Sequence, residues 1–392
     1  MPLTTVPRPA AAPAAPRCVT TVSRDPAEFL ALGPEWDALR RRCRPATPFQ
    51  SHAWLASWWR SYGRPGRLRV VLVRQDGRLV AAAALTLAYR PYPVLQPLGG
   101  AISDFLDVLV DDACPAAPAE LARALRTAAR GALLDLRELR PGAAAERLRP
   151  HWSGTRWEAA DSVCLELPGL PMEDLLRRLP GASAKRTRAK LRRIDRLGIC
   201  ERGVPPAGVA DAVGTMLRLH ERQWRGRGVT PEHLRPRFAA HLTRATRAMA
   251  ADGDAVVTEF LLGEEVMACD ITFTSEDLVC GYLYGADPRL RDRKVDIATM
   301  LLRHDAHHAS SGGHRVLSLL RGTESYKQRW RPETVRNRRL LLAPRGLAPV
   351  LLLHAAQLTA RARVARLVRE RADLGWARRL LTRGHPAQDG PS

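Results

Sequence analysis

Apolar and polar residues alternate along the chain in short runs that predict strands and helices in quick succession. Strand-like runs at 68–73 and 79–87 are separated by a turn that contains Asp76 and Gly77, and Asp-Gly between two β-rich runs predicts a tight hairpin. The same spacing rules predict further elements. These are helices at 35–43, 51–62 and 118–131, and strands at 105–110 and 133–139.

This order of elements recurs in the second part of the chain. The recurring elements are helices at 209–225, 232–251 and 295–309, and strands at 255–262, 266–273, 278–284 and 315–320. Two rounds of helices, a strand meander, a helix and a further strand indicate a duplicated unit of about 140 residues. Because helices on the faces of a mixed sheet bury such elements, we predict an α/β fold built on mixed sheets.

Segment 185–196, between the two rounds, carries seven positive charges and one negative charge. Leu191, Ile194 and Leu197 recur every three residues, which predicts a helix with one docked edge and a basic exterior. The basic side is either an ordinary solvated face or the anion-binding wall of a cleft. In the second case, Arg186 and Arg188 are candidate substrate-binding residues.

The two ends of the chain have different compositions. Residues 1–17 hold five Pro and five Ala without the apolar core of a signal peptide, and they predict a disordered tail. Residues 347–381 predict an amphipathic, Arg-rich helix that either packs across the body or contacts a membrane surface. The apolar stretch within it is too short and too polar to span a bilayer.

Composition adds charge to this picture. The chain has 62 basic and 40 acidic residues, a formal net charge of +22, which attracts anions such as nucleic acid, phosphorylated ligands or acidic lipids. Arginine supplies nearly all of the positive charge, so a general compositional bias is the alternative explanation. The seven cysteines are scattered without a C-x-x-C pair, which predicts reduced thiols and a cytoplasmic protein. A peripheral location at the inner face of the membrane is the alternative.

The clearest candidate for chemistry directly follows the predicted strand at 315–320. Residues 321–330 read Arg-Gly-Thr-Glu-Ser-Tyr-Lys-Gln-Arg-Trp. Gly322 permits a tight turn and Thr323 is predicted to cap a helix, which presents a carboxylate, a phenol and an ammonium group at a strand end where α/β proteins bind ligands. The alternative is an ion pair between Glu324 and Lys327, with the aromatic residues in the core.

Four motifs in this order resemble those of the bacterial CelD-type (BioF2-like) acetyltransferases of the GNAT superfamily, which are related to the FemAB peptidyltransferases. The motifs are Phe-Gln-Ser-His-Ala-Trp-Leu-Ala-Ser-Trp-Trp at 49–59, Ser-Asp-Phe-Leu-Asp at 103–107, Leu-His-Glu-Arg-Gln-Trp at 219–224 and Arg-Gly-x-Glu-x-Tyr-Lys-x-x-Trp at 321–330. The resemblance spans about residues 25–342. It implies tandem GNAT-like domains and acyl transfer from acyl-CoA to an amine or a hydroxyl, in polysaccharide, cell-envelope or specialised-metabolite biosynthesis.

The implied domain boundaries follow the two rounds of elements. They are a disordered tail at 1–20, a GNAT-like domain at 21–180, a basic connecting helix at 181–200, a GNAT domain at 201–342 and an amphipathic helical tail at 343–392.

Acyl transfer to an amine needs a proton acceptor, donors for the oxyanion and a proton source for the leaving group. Glu324 and Asp270 are the candidate proton acceptors, and Tyr284 or Tyr326 is the candidate proton donor to the leaving thiolate. Lys327 is a further catalytic candidate. The remaining substrate-binding candidates are Asp104, Asp107, His220, Trp224, Arg321 and Trp330. For Asp104 and Asp107 the alternative is turn capping, and for His220 and Trp224 it is core packing.

One segment departs from the GNAT pattern. A glycine-containing loop normally binds the CoA pyrophosphate through backbone N–H groups and a helix N-terminus. The matching segment, 287–296, contains no glycine, so side chains would replace the backbone donors. The candidate CoA-binding side chains are Arg289, Arg291, Arg293 and Lys294. A donor other than CoA, or a vestigial site, is the alternative.

His304-Asp305-Ala306-His307-His308 has the spacing of a zinc-binding H-E-x-x-H motif but carries Asp in place of the required Glu. No third ligand is evident, so we expect no metal.

Three functions remain open at this point. The first is an acyl-CoA-dependent N-acyltransferase with a small-molecule or glycan-precursor acceptor. The second is a FemX-like aminoacyl or peptidyl transferase that takes its acyl group from charged tRNA. The third is a non-catalytic basic scaffold, for example at an anionic membrane. The oligomeric state is not indicated.

Overall fold

The computed structural model describes residues 18–225 and 230–382. The first seventeen residues of the predicted disordered tail lie outside this range. Its last three residues begin a strand.

Residues 18–196 contain the first round of elements. The strands are β1 (Cys18–Ser23), β2 (Leu68–Gln75), β3 (Arg78–Tyr89), β4 (Pro93–Pro97), β5 (Leu109–Val110), β6 (Leu133–Leu139) and β7 (Thr155–Pro168). The helices are α1 (Pro26–Ala31), α2 (Gly33–Arg41), α3 (His52–Tyr62), α4 (Ala117–Ala128), α5 (Met172–Arg177) and α6 (Gly181–Arg196).

Residues 199–382 contain the second round. The strands are β8 (Ile199–Gly203), β9 (Ala255–Leu262), β10 (Glu265–Thr274), β11 (Leu278–Ala286), β12 (Val316–Arg321) and β13 (Glu333–Ala343). The helices are α7 (Val209–Trp224), α8 (Pro236–Ala251), α9 (Arg289–Asp292), α10 (Ile297–Ser311), α11 (Ser325–Gln328) and α12 (Ala348–Thr382).

The strands form one continuous mixed sheet in the order β1-β2-β3-β4-β6-β13-β7-β12-β11-β10-β9-β8, with β5 paired to β3. The two rounds repeat the same order from opposite edges, and they exchange a strand at the centre. β7 leaves the first round to pair with β12, while β13 returns to pair with β6. The predicted α/β fold of mixed sheets with a tandem arrangement and a C-terminal helix is therefore confirmed. The predicted domain boundaries remain predictions, and the sheet is continuous across them.

The neighbouring strands β11 and β12 separate along their length. Their parallel pairing covers only Leu278–Cys280 against Val316–Ser318, and beyond this the register between them ends. A β-bulge lies next to this point, because Ile271 pairs with Leu283 whereas Thr272 pairs with Gly281. A bulge adds one residue to a strand and redirects the side chains that follow. The sheet therefore opens on its β11–β12 side, and the bulge alters which side chains face the opening.

The local predictions hold where the sequence signal is strong. The hairpin between β2 and β3 turns at Asp76 and Gly77, whose φ angles of 50° and 82° suit the tight turn that Asp-Gly predicts. On α3, Trp54 is buried and packs against Phe49 and Phe273, so this helix joins the cores of both rounds.

Other local predictions need correction. The strand predicted at 105–110 is reduced to β5, because Asp107 binds backbone amides and ends the extended run. Five strands were not predicted from the sequence, namely β1, β4, β7, β8 and β13. The helix predicted at 232–251 begins only at Pro236, after a separate 3-10 turn at Pro231–Leu234.

The C-terminal helix α12 packs on the sheet through its first turns. Leu351 and Ala355 are buried against Val94 and Leu341, and the Tyr92 hydroxyl contacts Nδ1 of His354 at 2.6 Å. Its packing agrees with the first of the two alternatives for the tail. On the outer side of the same turns, Leu352 and Leu353 are 60% and 55% exposed, so apolar residues lie on both sides of the helix here. Among the described residues, no helix combines the length and the apolarity needed to cross a bilayer.

Candidate active site

The opening between β11 and β12 contains a narrow cleft with a volume of about 80 Å³. Polar and aromatic side chains from β10, β11, α10, β12 and α11 line it together with leucines. The chemically relevant lining residues are Asp270, Gly281, Tyr284, Asp305, Ser318, Tyr326, Lys327 and Trp330. Pockets for whole ligands are typically about 300–1,000 Å³, so this cleft accommodates a reacting group rather than a complete substrate.

Two buried carboxylates meet at the base of this cleft. The Thr272 hydroxyl oxygen lies 2.8 Å from Oδ2 of Asp270 and 3.1 Å from Oδ1 of Asp305. Asp270 is 2% exposed and Asp305 is 7% exposed. Burial raises the pKa of both carboxyl groups, and the charge of Asp270 raises the pKa of Asp305 further.

A histidine and a third carboxylate lie beside this pair. Nδ1 of His304 is 2.6 Å from Oε2 of Glu201. Burial alone would lower the pKa of His304, but the Glu201 contact and the nearby Asp270 and Asp305 raise it. The positive charge of His304 in turn opposes the rise in the pKa of Asp270.

The segment after β12 supplies the opposite wall of the cleft. The buried ammonium group of Lys327 donates to the carbonyl oxygen of Arg321 at 2.8 Å and forms an ion pair with Glu324 at 2.8 Å. The ion pair between Glu324 and Lys327, which was the alternative interpretation of this segment, is therefore present. Glu324 is half-exposed and does not line the cleft, whereas Lys327 and Tyr326 do.

The predicted cap of the helix in this segment is wrong. Helix α11 begins after Glu324 rather than after Thr323, and its first amides receive no side-chain hydrogen bond.

The two tyrosines in the cleft are suited to proton donation. Burial raises the pKa of Tyr284, and burial together with the charge of Glu324 raises the pKa of Tyr326. Both phenols therefore remain protonated at neutral pH. The Tyr284 hydroxyl also accepts a hydrogen bond from Gln223 Nε2 at 3.2 Å.

A second cavity, of about 460 Å³, lies between the two rounds of the fold. Arg321 lines it and connects the rounds, since its Nε donates to Asp104 at 2.9 Å and its Nη1 to Glu138 at 3.2 Å. Trp58 and Tyr62 stack at 5.5 Å on its wall. Lys327, which lines the narrow cleft, donates to the backbone of Arg321, which lines the second cavity, although no residue of the described ranges lines both.

The other substrate-binding candidates lie at different places. Asp107 accepts backbone N–H bonds from Val108, Ala144 and Ala145, so its contacts are those of the capping alternative. His220 is buried, with Nδ1 2.8 Å from the carbonyl oxygen of Tyr284. It does not line either cavity.

Of the two candidate tryptophans, one borders a cavity and the other does not. Trp224 packs at 6.3 Å from the ring of His220 and lines neither cavity. Trp330 is 3% exposed and belongs to a hydrophobic core, yet one side of it borders the narrow cleft.

The basic helix α6 buries Ala184, Leu191 and Ile194 and exposes its charged side, as its spacing predicts. Arg186 donates to Ser183 at 3.1 Å, and Arg188 forms an ion pair with Glu173 at 3.0 Å. Both arginines lie outside the two cavities, on the exposed side of the helix.

The segment 287–296 does not form a phosphate cradle. It folds into α9, and the backbone amides of Arg291, Arg293 and Lys294 donate to carbonyl oxygens of the same segment at 2.7–3.1 Å. Arg289 binds Asp287 and Glu265. The amides that hold a pyrophosphate in a glycine-containing loop are therefore already used.

The N-terminus of α10 is occupied by a charged residue of the chain itself. Oδ1 of Asp296 accepts the Thr299 amide at 3.0 Å, and its carboxylate pairs with Lys190 and Arg329. These contacts overcome the effect of burial and lower the pKa of Asp296 to about 2. The Asp296 carboxylate therefore takes up the backbone amide that a phosphate would use at this helix end, while the candidate side chains of Arg293 and Lys294 are exposed.

No group of three or more His, Cys, Asp or Glu residues in the described ranges is arranged to hold a metal ion. In the H-D-A-H-H stretch, the rings of His304 and His308 are in edge contact at 4.5 Å.

Sequence reasoning missed Asp305, Thr272 and Gly281. Asp270 and Thr272 are two residues apart on β10 and so lie on the same face of the sheet. The alternation of side chains along the strand could therefore have indicated Thr272. Nothing local indicates that Asp305 on α10 faces the same point, because that depends on the packing of the helix against the sheet.

Residues 182–328 match the family model described as an acetyltransferase (GNAT) domain. The matched segment covers the narrow cleft and all of its lining residues except Trp330. A search of curated proteins found no match. The finer resemblance to CelD-type acetyltransferases remains a prediction.

Solved structures resemble the whole fold. FemX has a TM-score of 0.56 at 11% sequence identity, covering 79% of this chain and 95% of FemX. L-PGS from Bacillus licheniformis has a TM-score of 0.53 at 13% identity, covering 86% of this chain and 97% of that chain. A conserved protein of unknown function from Bacteroides thetaiotaomicron has a TM-score of 0.54 at 12% identity, covering 80% and 97%. At these identities the similarity is one of fold.

Proposed function

We propose that this protein is an acyltransferase that moves an acyl group from an activated ester or thioester to an amine acceptor. The observation that carries the proposal is the opening of the sheet between β11 and β12, inside the segment that matches a GNAT domain. A carboxylate, two protonated phenols and an ammonium group meet in this opening. These are the groups that acyl transfer requires.

In the proposed reaction, the amine nitrogen attacks the donor carbonyl, and a C–N bond replaces the bond from that carbon to the leaving group. Asp270 accepts the proton that the amine loses. Tyr284 or Tyr326 gives a proton to the leaving group and is reprotonated by the proton held at Asp270. Lys327 stabilises the negative charge that develops on the carbonyl oxygen.

Asp270 is preferred over Glu324 as the proton acceptor. Asp270 lies in the cleft, whereas Glu324 is half-exposed and binds Lys327. We therefore assign Glu324 the role of orienting the ammonium group. The second cavity, with Asp104 and Arg321 on its wall, is the proposed acceptor site for a small molecule or glycan precursor.

The first donor to test is acetyl-CoA, because the segment match is to an acetyltransferase domain. The assay measures free thiol released from acetyl-CoA in the presence of a panel of amines. We expect Asp270→Asn to lower kcat by about 10²–10⁴-fold without loss of folding. Glu259→Gln, which changes a carboxylate on the neighbouring strand β9 outside both cavities, is the matched control. Unchanged turnover in the Asp270 variant would refute its role.

A second donor is favoured by the closed 287–296 segment and the exposed charge of α6. Aminoacyl-tRNA carries an activated ester without a CoA pyrophosphate, and FemX shares the fold. Binding of charged tRNA is then measured against salt concentration, because several arginine–phosphate contacts make affinity fall steeply with added salt. A rise in Tm with acetyl-CoA and salt-independent tRNA binding would exclude this donor.

A further inference from the structure

The contact between Thr272 and the two carboxylates sets a condition on protonation. A hydroxyl group has one hydrogen and can donate only one hydrogen bond. Its oxygen lies within hydrogen-bond distance of both Asp270 and Asp305. In one of these two contacts, the carboxyl group must therefore carry a proton and donate it to the Thr272 oxygen. If both carboxyl groups were ionised, the second contact would place two buried acceptors against each other.

The fold holds the second carboxylate in this position. Gly281 faces Asp305, and a Cβ atom at Gly281 would lie 2.7 Å from Oδ2 of Asp305. Gly281 is also the residue that pairs with Thr272 across the bulge. The absence of a side chain at this single position therefore admits the Asp305 carboxyl group to the sheet surface.

We propose that Asp270 and Asp305 hold a single proton between them through the Thr272 hydroxyl, and that Asp305 is a positioning residue that keeps Asp270 ready to accept a proton. In the resting chain, protonated Asp305 donates to Thr272 and Thr272 donates to ionised Asp270. The catalytic part of this proposal rests on the proposed acyl transfer, whereas the shared proton does not.

The proton balance of the reaction closes within this unit. When the amine attacks, its proton moves to Asp270 and the pair then holds two protons. One proton passes to the leaving group by way of a cleft phenol as the carbonyl–leaving-group bond breaks. The pair returns to its one-proton state, with no net gain or loss of protons by the protein.

Charged and titratable groups on every neighbouring element act on the pair. They are Glu201 on β8, His304 on α10, Cys280 and Tyr284 on β11, and Tyr326 and Lys327 on α11. Glu201 and His304 form an ion pair that is close to neutral overall, and Cys280 and both tyrosines remain protonated because burial raises their pKa values. The carboxylate pair and His304, whose pKa is also raised, are therefore the groups in this cluster that change charge with pH.

The shared proton is tested without any substrate by infrared spectroscopy of the full chain at pH 7. We expect the difference spectrum between the unmodified protein and Asp305→Asn to contain the carbonyl-stretch band of a buried protonated carboxyl group. The subtraction removes the band of Asp107, whose pKa burial raises to about 7. Asp195→Asn, a change at an exposed aspartate on α6, is the control and should give no such difference band. Absence of the difference band for Asp305→Asn or for Asp270→Asn at pH 7 would overturn the proposal.

Thermal unfolding gives a second readout that also needs no substrate. Because the folded pKa of Asp305 is raised, the native chain binds a proton that the unfolded chain releases above about pH 4. Stability from this group is complete below about pH 4 and is lost as pH rises towards the folded pKa. The Tm of Asp305→Asn minus the Tm of the unmodified protein should therefore increase as pH rises. A difference that is the same at every pH would contradict the proposal.

The positioning role is tested by the pH profile of kcat once a donor is found. The amide of Asp305→Asn still donates to Thr272, so this variant should keep kcat within about tenfold and lose the alkaline limb that ionisation of Asp305 causes. Thr272→Val breaks the chain of hydrogen bonds and should lower kcat by at least about tenfold. If Asp305 has only a structural role, the profile keeps its shape in both variants. An infrared band in a protein that transfers no acyl group would refute the proposed function but not the shared proton.

Discussion

The sheet opens twice, once between β4 and β6 and once between β11 and β12, and the two openings contain opposite arrangements of charge. In the first round, parallel pairing covers only Val94 and Leu95 against Leu133 and Leu134. The next residue of β6 is Asp135, which is completely buried. Arg339 on the exchanged strand β13 donates to both of its oxygens at 2.6 and 2.7 Å.

In the second round, β12 pairs with β11 as far as Ser318. The carboxylates here belong to Asp270 and Asp305, and the hydrogen-bonding group between them is a threonine hydroxyl rather than a guanidinium. An ion pair thus fills the opening in the first round, whereas in the second round a cleft with two buried carboxyl groups remains. This difference supports the proposed function, in which the reaction site lies in the second round.

The largest effect is expected from a change that removes the ion pair in the β4–β6 opening. Arg339→Met leaves Asp135 buried without a cation, and losing one partner of a buried ion pair costs about 3–5 kcal/mol. The free energy of unfolding from denaturant titration measures this loss. Adding Asp135→Leu should recover most of it, because both charges are then absent. A single variant within about 0.5 kcal/mol of the unmodified protein would contradict the structural role.

A smaller effect is expected at the open site. Gly281→Ala places a methyl group against Asp305, which should destabilise the fold by about 1–3 kcal/mol through overpacking and displace the carboxyl group. The carbonyl-stretch band of the carboxyl pair at pH 7 should therefore be weaker in this variant than in the unmodified protein. Gly203→Ala, where an added Cβ meets no atom within 4 Å, is the control. Normal stability and an unchanged carbonyl band in the Gly281 variant would show that the glycine is not required for the pair.

The smallest effect is expected on the surface of α6. Arg188 and Glu173 are both exposed, and such ion pairs contribute about 0–1 kcal/mol. Arg188→Ala should therefore change the free energy of unfolding by less than about 0.5 kcal/mol. A larger loss would assign the basic helix a structural role and weaken its interpretation as a ligand-binding surface.

Much of the element order could be predicted because it is encoded locally. The turn at Asp76 and Gly77 needs positive φ angles that these residues adopt readily. The helix spacing of Leu191 and Ile194 predicted which edge of α6 is buried. The prediction of a strand at 105–110 was wrong for most of its length, because the side chain of Asp107 binds backbone amides. Hydrophobic alternation does not reveal such a contact.

The candidate site was predictable only in part. Asp270, Tyr284, Tyr326 and Lys327 follow from the strand ends and the motif at 321–330, and all four line one cleft. The segment 287–296 could be recognised as lacking glycine, but its helical fold and the Asp296 cap depend on contacts with Lys190 and Arg329 from other parts of the chain.

The sequence by itself determined the mixed α/β class, the repeat and the position of most helices and strands, because periodicity and turn residues act over a few neighbours. Only the tertiary structure decided that β7 and β13 exchange places, that Arg339 neutralises Asp135, and that Asp305 meets Asp270 across Thr272. These contacts join residues far apart in the chain, and their energies arise from burial and charge in a space that exists only after the sheet has formed.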